Sequence, residues 1–214
     1  SIKAGGGVGI GTLLHLAKEH GFVLPKASEA PAAPSPEVLA QRERERVQRL
    51  QADQARQQAA HAAAAADAVA QWDAASDTGA SPYLARKGVQ AHGVRFAADG
   101  CVLVPLRDAA GALWNLQRIA PERPADGTDK LFLKGGRKSG LWHWCGDPAG
   151  APVLLIAEGY ATAASVHEAT GRPVAVAFDA GNLAHVAKAL RQQHRTALLV
   201  LCGDDDRDTE ARTG

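Results

Sequence analysis

The clearest pattern of apolar positions lies in the last third of the chain. Three apolar runs, Pro152 to Ala157, Pro173 to Phe178 and Ala197 to Cys202, each have the length of a strand. The stretches between them, from about Ala161 to Ala169 and from about Leu183 to His194, have helical composition. Short, continuously apolar strands that alternate with helices are typical of a parallel sheet covered on both faces. The pattern therefore predicts an α/β fold.

A different pattern precedes this region. Gly100 to Ile119 predicts a β-hairpin, because two strand-like runs flank a turn at Asp108 to Gly111. A stretch rich in Gly, Lys and Arg follows, with Leu131 to Leu133 inside it and an aromatic run from Leu141 to Trp144 after it. These features favour a small, β-rich α+β subdomain.

The segment from Glu37 to about Ala75 contains no Gly or Pro and consists mainly of Arg, Glu, Gln and Ala. These residues are strong helix formers. The segment has few large apolar residues, and they form only a narrow apolar stripe along the helix. We predict a long, mostly solvated helix that packs at its ends. A coiled coil remains an alternative, although sustained heptads are missing.

The amino-acid composition excludes only a few classes of protein. The 24 basic and 23 acidic residues give a net charge of +1, so global charge argues neither for nor against nucleic-acid binding. Three widely spaced cysteines without a CxxC pair disfavour a zinc ribbon or a disulfide framework and favour the cytoplasm. No signal peptide or membrane span is predicted. Because the chain starts at Ser1 without Met, we interpret it as an internal fragment.

Acidic residues follow two of the three predicted strands. Glu158 and Gly159 come after the first strand, and residues 203–207 (Gly-Asp-Asp-Asp-Arg) come after the third. In open α/β sheets the reacting groups lie at the carboxyl ends of the strands. If the first and third strands are neighbours, Glu158 faces Asp204 and Asp206.

Three carboxylates at one sheet edge repel one another unless a divalent cation neutralises them, and hard oxygen ligands suit Mg²⁺ or Mn²⁺. In extended backbone Asp204 and Asp206 share one face, whereas Asp205 points away. The alternative interpretation is that each acid caps a helix, as acids at such positions often do.

The motif Glu158-Gly159-Tyr160, together with Asp204-x-Asp206-Arg207 after a later strand, resembles the Toprim domain. That domain is shared by bacterial primases, type IA and II topoisomerases, RecR-type repair proteins and OLD-type nucleases. The forms of the two motifs are most similar to those of the primases.

Upstream segments also resemble those of primases. Val104 to Gly111, followed by Leu116 to Arg118, is similar to the hairpin before Toprim in replicative primases. Pro82 to Gly88 and Ala177 to Leu183 resemble segments of the primases and primase-helicases of plasmids, phages and integrative elements. The resemblance spans roughly residues 81–207.

The resemblance implies a Rossmann-like Toprim sheet with flanking helices, preceded by the β-rich subdomain and the long N-terminal helix. The resulting segments are a short helical tail of an upstream module (1–24), a linker (25–36), a connecting helix (37–80), an N-terminal primase-core subdomain (81–150) and a C-terminally truncated Toprim domain (151–214).

The resemblance also implies chemistry. Glu158 would act as an acid/base near the metal or orient the attacking 3′-hydroxyl, and Asp204 and Asp206 would hold Mg²⁺ or Mn²⁺. The expected reaction is RNA primer synthesis from nucleoside triphosphates on a single-stranded DNA template. One departure is Thr162, where the replicative primases carry another Asp, and a later acidic pair of that family has no counterpart here.

Basic residues before the acidic motifs suit the phosphates of a template or nucleotide, and nearby aromatic residues suit base stacking. The alternative is a solvated loop with buried aromatics. The aromatics are Phe132, Trp142 and Trp144. The candidate nucleic-acid or nucleotide ligands are Arg107, Arg118, Lys130, Lys134, Arg137, Lys138 and Arg207.

Two other functions remain open. One is strand cleavage by a nuclease or topoisomerase-like protein, which the upstream hairpin and the lack of a candidate tyrosine nucleophile both disfavour. Tyr83 and Tyr160 are the only tyrosines, and Tyr160 lies within the Glu158-Gly159-Tyr160 motif. The other is a non-catalytic module that binds DNA or a helicase, with the long helix as docking element. A helicase domain or subunit is a possible partner in any case.

Weaker signals carry structural interpretations. The glycine run from Gly5 to Gly11 fails the P-loop pattern, because no Lys precedes Thr12. We interpret His143 and Cys145 as packing residues, since two candidates do not make a zinc site. Asp179 follows the second predicted strand; we favour a turn role for it over the alternative that it reaches the metal site. Asn182 is expected to cap a helix.

Overall fold

The computed structural model describes residues 10–22, 34–124 and 127–203. The chain divides into two units, residues 1–51 and residues 52–214. The first unit contains helix α1 (Ile10–Glu19) and the beginning of helix α2 (Pro36–Ala74), which continues into the second unit. Of the predicted linker, residues 25–33 lie outside the described part.

Helix α2 is the long helix that the sequence predicts. Every residue from 34 to 60 is exposed, and ion pairs such as Arg46 with Glu43 lie along this surface. The only buried positions of α2 are Ala64 and Ala68, in the last third of the helix. The small alanine side chain lets the helix approach the first sheet of the second unit closely, and Gln71 and Trp72 are half-buried beside it. The predicted packing is therefore seen at the carboxyl end of α2, whereas its amino-terminal end is exposed.

The first sheet of the second unit has four antiparallel strands in chain order. The predicted hairpin is present as the two central strands, with a register irregularity at its turn. A short helix, α3 (Pro82–Lys87), precedes the sheet. The strands are β1 (Arg95–Phe96), β2 (Val102–Arg107), β3 (Leu113–Ile119) and β4 (Lys130–Phe132).

The second sheet contains the three predicted parallel strands, which are β6 (Val153–Ala157), β7 (Val174–Val176) and β8 (Leu198–Cys202). With one further strand, β5 (His143–Cys145), their order in the sheet is β5-β7-β6-β8. The aromatic run supplies its edge strand β5, which pairs antiparallel with β7. Strand β6 pairs in parallel with both β7 and β8. The helices that follow β6 and β7 in the chain are α4 (Tyr160–Thr170) and α5 (Ala180–Gln193).

The second sheet is covered on both faces at its centre. One face shares a core with α4 and with the β2–β3 hairpin, and the other packs against α5. Strand β8 differs from the prediction, because Leu198, Val200 and Leu201 are exposed. Its position at the edge of the sheet leaves it less covered than β6 and β7. Within the described ranges, no helix has both the length and the apolar character needed to cross a bilayer.

Candidate active site at the carboxyl edge of the second sheet

The carboxyl ends of β6 and β8 lie side by side. Ala157, the last residue of β6, is in register with Cys202, the last residue of β8. Neighbouring strands are about 4.8 Å apart. The condition that the first and third predicted strands are neighbours is therefore met, and Glu158 and Gly203 each follow the last residue of one of these two strands. Asp204, Asp206 and Arg207 themselves lie outside the described residues.

Glu158 sits half-buried between the end of β6 and the start of α4. Its carbonyl oxygen accepts a hydrogen bond from the Phe178 amide at 2.7 Å, which ties the ends of β6 and β7 together. Gly159 is the extended N-cap of α4 and provides no side chain. A Cβ at Gly159 would meet only the Thr162 Oγ1, at 3.9 Å. The helix therefore begins in open space beside Glu158, and its amino-terminal dipole favours an anion there.

The end of β7 is shaped by a backbone bend. Phe178 has a φ of 72°, in the left-handed region that a large side chain rarely adopts, and it is nonetheless buried. Asp179 follows as the N-cap of α5, and its Oδ1 accepts a hydrogen bond from the Asn182 amide at 2.9 Å. The expectation that Asn182 is the cap is wrong, because the backbone bend places Asp179 at the cap position.

Asn182 instead joins the Gly-, Lys- and Arg-rich stretch of residues 120–140, called the basic segment below, to the second sheet. Its side chain is buried, and its Oδ1 accepts a hydrogen bond from the Gly140 amide at 2.7 Å. Its Nδ2 donates to the carbonyl oxygens of Leu141, at 3.0 Å, and Ala177, at 2.8 Å. One amide group therefore holds the end of the basic segment against the end of β7.

Lys138 reaches the same edge from the basic segment. Its Nζ lies 2.5 Å from the Oδ2 of Asp179 and 5.0 Å from the centroid of the Phe132 ring. Phe132 in turn packs edge-on against Phe178, with 6.0 Å between ring centroids. A cation, a carboxylate and two aromatic rings therefore meet next to the β6–β7 junction. The sequence gives a signal for one part of this arrangement, because an Asp directly before a helical stretch is typical of an N-cap.

The other basic candidates form two groups, one on the face of the first sheet that contacts α2 and one on β4 and the loop after it. Arg118 binds Asp99 and, at 2.6 Å, the Gln71 side chain of α2, so it lies on the α2 face. Arg107 lies on the same face beside Trp72. The remaining candidates lie on β4 or in the loop after it: Lys130, exposed Lys134, Arg137 with its guanidinium 5.1 Å from the Trp114 ring, and Lys138.

His143 and Cys145 are buried packing residues, as predicted. The His143 Nε2 lies 2.7 Å from the His92 carbonyl oxygen, and burial lowers the pKa of His143 to about 4. Burial raises the pKa of the Cys145 thiol to about 12. No cluster of three or more potential metal ligands occurs among residues that the structure describes.

Comparisons with known proteins agree with this geometry. The family profile described as Toprim domain matches residues 153–213. The chain is 44% identical over 139 residues to a protein named DNA primase TraC from Escherichia coli, which covers 63% of this chain and 13% of that protein. A second protein of the same name and organism is 45% identical over 132 residues, which covers 59% of this chain and 9% of that protein. The chain thus spans about a tenth of these relatives.

Proposed function

We propose that this chain is the nucleotidyl-transfer core of a mobile-element DNA primase. The proposal starts from the match of residues 153–213 to the Toprim domain. The observation that carries the proposal is the alignment of the β6 and β8 ends, which brings the Glu158 segment beside the strand that leads to Asp204. The identity of 44 to 45% to two proteins named DNA primase supports the choice of reaction.

Toprim domains bind divalent metal ions, and the residues at this edge fit such an ion. Glu158 is half-buried beside an open space, and the two aspartates of the Asp204-x-Asp206 motif follow the adjacent strand. Carboxylate oxygens are the ligands that Mg²⁺ and Mn²⁺ prefer. We propose Asp204 and Asp206 as ligands of Mg²⁺ or Mn²⁺, with Glu158 next to them. A bound ion would polarise the α-phosphate and stabilise the leaving pyrophosphate.

Glu158 is proposed to orient the primer 3′-hydroxyl and to accept its proton. The hydroxyl oxygen then forms a bond to the α-phosphorus of a nucleoside triphosphate, and the bond between that phosphorus and the pyrophosphate oxygen breaks. Such a reaction depends mainly on position and charge. Lys138 and the amino terminus of α4 lie at the same edge and would bind phosphate oxygens.

The proposed substrates are nucleoside triphosphates and a single-stranded DNA template, in the cytoplasm. The basic residues Arg107, Arg118, Lys130, Lys134, Arg137, Lys138 and Arg207 are proposed to contact phosphates, and a helicase domain or subunit remains a possible partner.

Burial disfavours the topoisomerase alternative. Tyr83 and Tyr160 are the only tyrosines of the sequence, and both are fully buried. Burial raises the pKa of Tyr83 to about 12, and it also raises the pKa of Tyr160, whose hydroxyl accepts a hydrogen bond from the His92 amide. Neither hydroxyl is positioned to attack a DNA phosphate.

The test is Mn²⁺ binding by calorimetry, compared between the unmodified chain, Glu158→Gln and the double variant Asp204→Asn/Asp206→Asn. We expect Mn²⁺ binding that the double variant abolishes. Primer synthesis should fall about 10²- to 10⁴-fold in Glu158→Gln, as expected for loss of an acid/base. Glu37→Gln makes the same chemical change at an exposed position of α2 and should match the unmodified chain.

Two results would contradict the proposal. Absence of Mn²⁺ binding by the unmodified chain would remove the metal site. Nicking of supercoiled DNA without primer synthesis, abolished by the same variants, would assign the site to strand cleavage.

A further inference from the structure

A cavity of about 420 Å³ lies between the turn of the β2–β3 hairpin and the β5 edge of the second sheet. Its volume falls in the range of sites that bind small molecules. It is distinct from the acidic edge, because Glu158 and Gly203 do not line it. The walls combine aromatic rings with one arginine, and the principal lining residues are Trp72, Arg107, His143, Trp144 and His194.

Two aromatic side chains in the walls of the cavity are partly exposed. Trp72 lies near the end of α2 and is only half-buried, and the guanidinium carbons of Arg95 and Arg107 lie 4.7 Å and 5.5 Å from its ring centroid. Across the cavity, Trp144 is also half-buried and contacts His194 edge-on at 6.2 Å. Partly exposed indole rings that line one concave space suit a planar aromatic group.

Arg107 supplies a positive charge that lacks a counter-ion in the described part of the chain. Burial, together with the positive charge of Arg95, lowers the pKa of Arg107. Its Nη1 donates only to the Gly111 carbonyl oxygen, at 2.8 Å. A partly buried guanidinium without a carboxylate partner favours an anionic ligand.

The carboxylate of the next residue in the chain, Asp108, is already engaged. Asp108 Oδ1 accepts hydrogen bonds from the Ala110 and Ala112 amides, and its Oδ2 accepts one from the Trp114 indole at 2.7 Å. These bonds turn the Asp108 carboxylate into the hairpin turn. The charge on Arg107 therefore remains open to a ligand phosphate.

Strand register places the cavity near the acidic edge. His143 of β5 pairs with Val176 of β7, and Val176 pairs with Ala157 of β6. Two strand spacings, about 10 Å, therefore separate His143 from the residue that precedes Glu158. A single strand bound at the acidic edge would reach the cavity within a few nucleotides.

We propose that this cavity binds one nucleotide of a single-stranded nucleic acid, with the base against Trp72 and Trp144 and a phosphate on Arg107. The proposal rests on the proposed function for the source of the strand. It shares the phosphate contact of Arg107 with that proposal but requires none of the three acidic residues, so primer synthesis and nucleotide binding in the cavity can fail separately.

The first experiment compares the salt dependence of binding. Fluorescence anisotropy with a labelled eight-nucleotide oligothymidylate gives the binding constant at several salt concentrations for the unmodified chain, Arg107→Gln and Arg172→Gln. Loss of one phosphate contact should reduce the slope of log K against log salt by about 0.7 in Arg107→Gln. Arg172 is exposed and outside the cavity, so Arg172→Gln should retain the slope. Equal slopes in all three proteins would overturn the proposal.

The second experiment needs no substitution in the protein, so it does not depend on how a variant folds. Oligothymidylate carrying 5-iodouracil is photocrosslinked to the unmodified chain and the adduct is mapped by mass spectrometry. We expect adducts at Trp72 or Trp144, and adducts confined to other residues would refute the base position.

Two additions to the crosslinking experiment distinguish a bound free nucleotide from a bound strand, and the cavity from the acidic edge. Thymidine 5′-monophosphate at increasing concentration should compete for the adduct if free nucleotides also use the cavity, whereas only unlabelled oligonucleotide should compete if a strand is required. Glu158→Gln should retain the adduct, because it alters the acidic edge alone. Adduct formation in a chain that fails to bind Mn²⁺ would therefore sustain the cavity proposal while contradicting the proposed enzymatic function.

Discussion

His143 shows how burial sets the charge of a single residue. Its ring lies inside the second unit, and its Nε2 faces the His92 carbonyl oxygen, which can only accept a hydrogen bond. The proton of the neutral ring therefore resides on Nε2. Because burial holds the pKa near 4 in the folded chain and the pKa of an unfolded histidine is about 6.5, the unfolded state takes up a proton first on acidification.

The stability of the chain should consequently fall as the pH drops from about 6.5 towards 4. Between pH 7.5 and pH 5 we expect the free energy of unfolding to decrease by about 1 to 2 kcal/mol. Chemical denaturation at a series of pH values measures this slope. His143→Gln should flatten it, whereas His185→Gln, at an exposed position of α5, should leave it unchanged.

The measurement should stay above pH 5, so that the slope reports histidines and not carboxylates. Hydrogen bonds from the Gln90 amide and from His92 lower the pKa of Glu168, so this carboxylate stays ionised above pH 5. A slope that persists in His143→Gln would therefore point to another histidine and contradict the assignment.

Individual site residues differ in how far the sequence determines them. Glu158 could be predicted, because a strand followed by Glu-Gly and a helix defines its position locally. The contacts of Asn182 with Gly140 and Leu141 could not, because they join segments about 40 residues apart in the chain. The positions of Asp204, Asp206 and Arg207 remain predictions.

At the scale of elements, Asn182 connects α5, β7 and the basic segment. Replacement by Ala would leave the Gly140 amide and two carbonyl oxygens without their partner in a buried place. We expect Asn182→Ala to lower the free energy of unfolding by about 1 to 3 kcal/mol, measured by urea denaturation.

The matched control is Gln192→Ala, which removes an exposed amide from the same helix and should change the stability by less than about 0.5 kcal/mol. If Asn182 also positions Lys138, the Asn182→Ala chain should bind oligothymidylate more weakly than Gln192→Ala under conditions where both are folded. Equal affinities would restrict Asn182 to a structural role.

The contact of α2 with the first sheet depends on small side chains. Ala68 is fully buried and packs with Leu103 and Leu116. Ala68→Leu should overfill this contact and reduce stability by about 1 to 3 kcal/mol in thermal or urea unfolding.

Ala66→Leu introduces the same side chain at an exposed position of α2, where the helix propensity of Leu is close to that of Ala. It should therefore leave the unfolding transition nearly unchanged. Similar losses in both variants would indicate that helix propensity, not packing, explains the effect.

The presence of the long helix and of the parallel strands could be predicted from the local amino-acid composition. The absence of Gly and Pro between Glu37 and Ala75 predicted α2, and three apolar runs predicted β6, β7 and β8. The antiparallel attachment of β5 to β7 was not predicted, because pairing between distant segments depends on tertiary packing.

At the scale of the molecule, the two sheets of the second unit meet at one backbone bridge. The Arg107 and Trp142 amides each donate to the carbonyl oxygen of the other residue, at 3.0 Å. This pair joins the end of β2 to the segment that enters β5. The same junction forms a wall of the cavity, so the cavity exists only when the two sheets are assembled.

Strand β8 gives the molecule an open β edge. Leu198 and Leu201 expose 59% and 60% of their surface, and no other described strand pairs with the outer side of β8. Unpaired backbone groups beside exposed leucines are a template for strand addition from another chain.

We therefore expect the isolated chain to self-associate as its concentration rises, in sedimentation velocity experiments. Leu198→Lys should shift this association to higher concentration, because a charge on an edge strand opposes pairing. Leu13→Lys, at an exposed leucine of α1, serves as the control and should not. The strand that leads to the proposed metal ligands would then also be the place where a second polypeptide adds to the sheet.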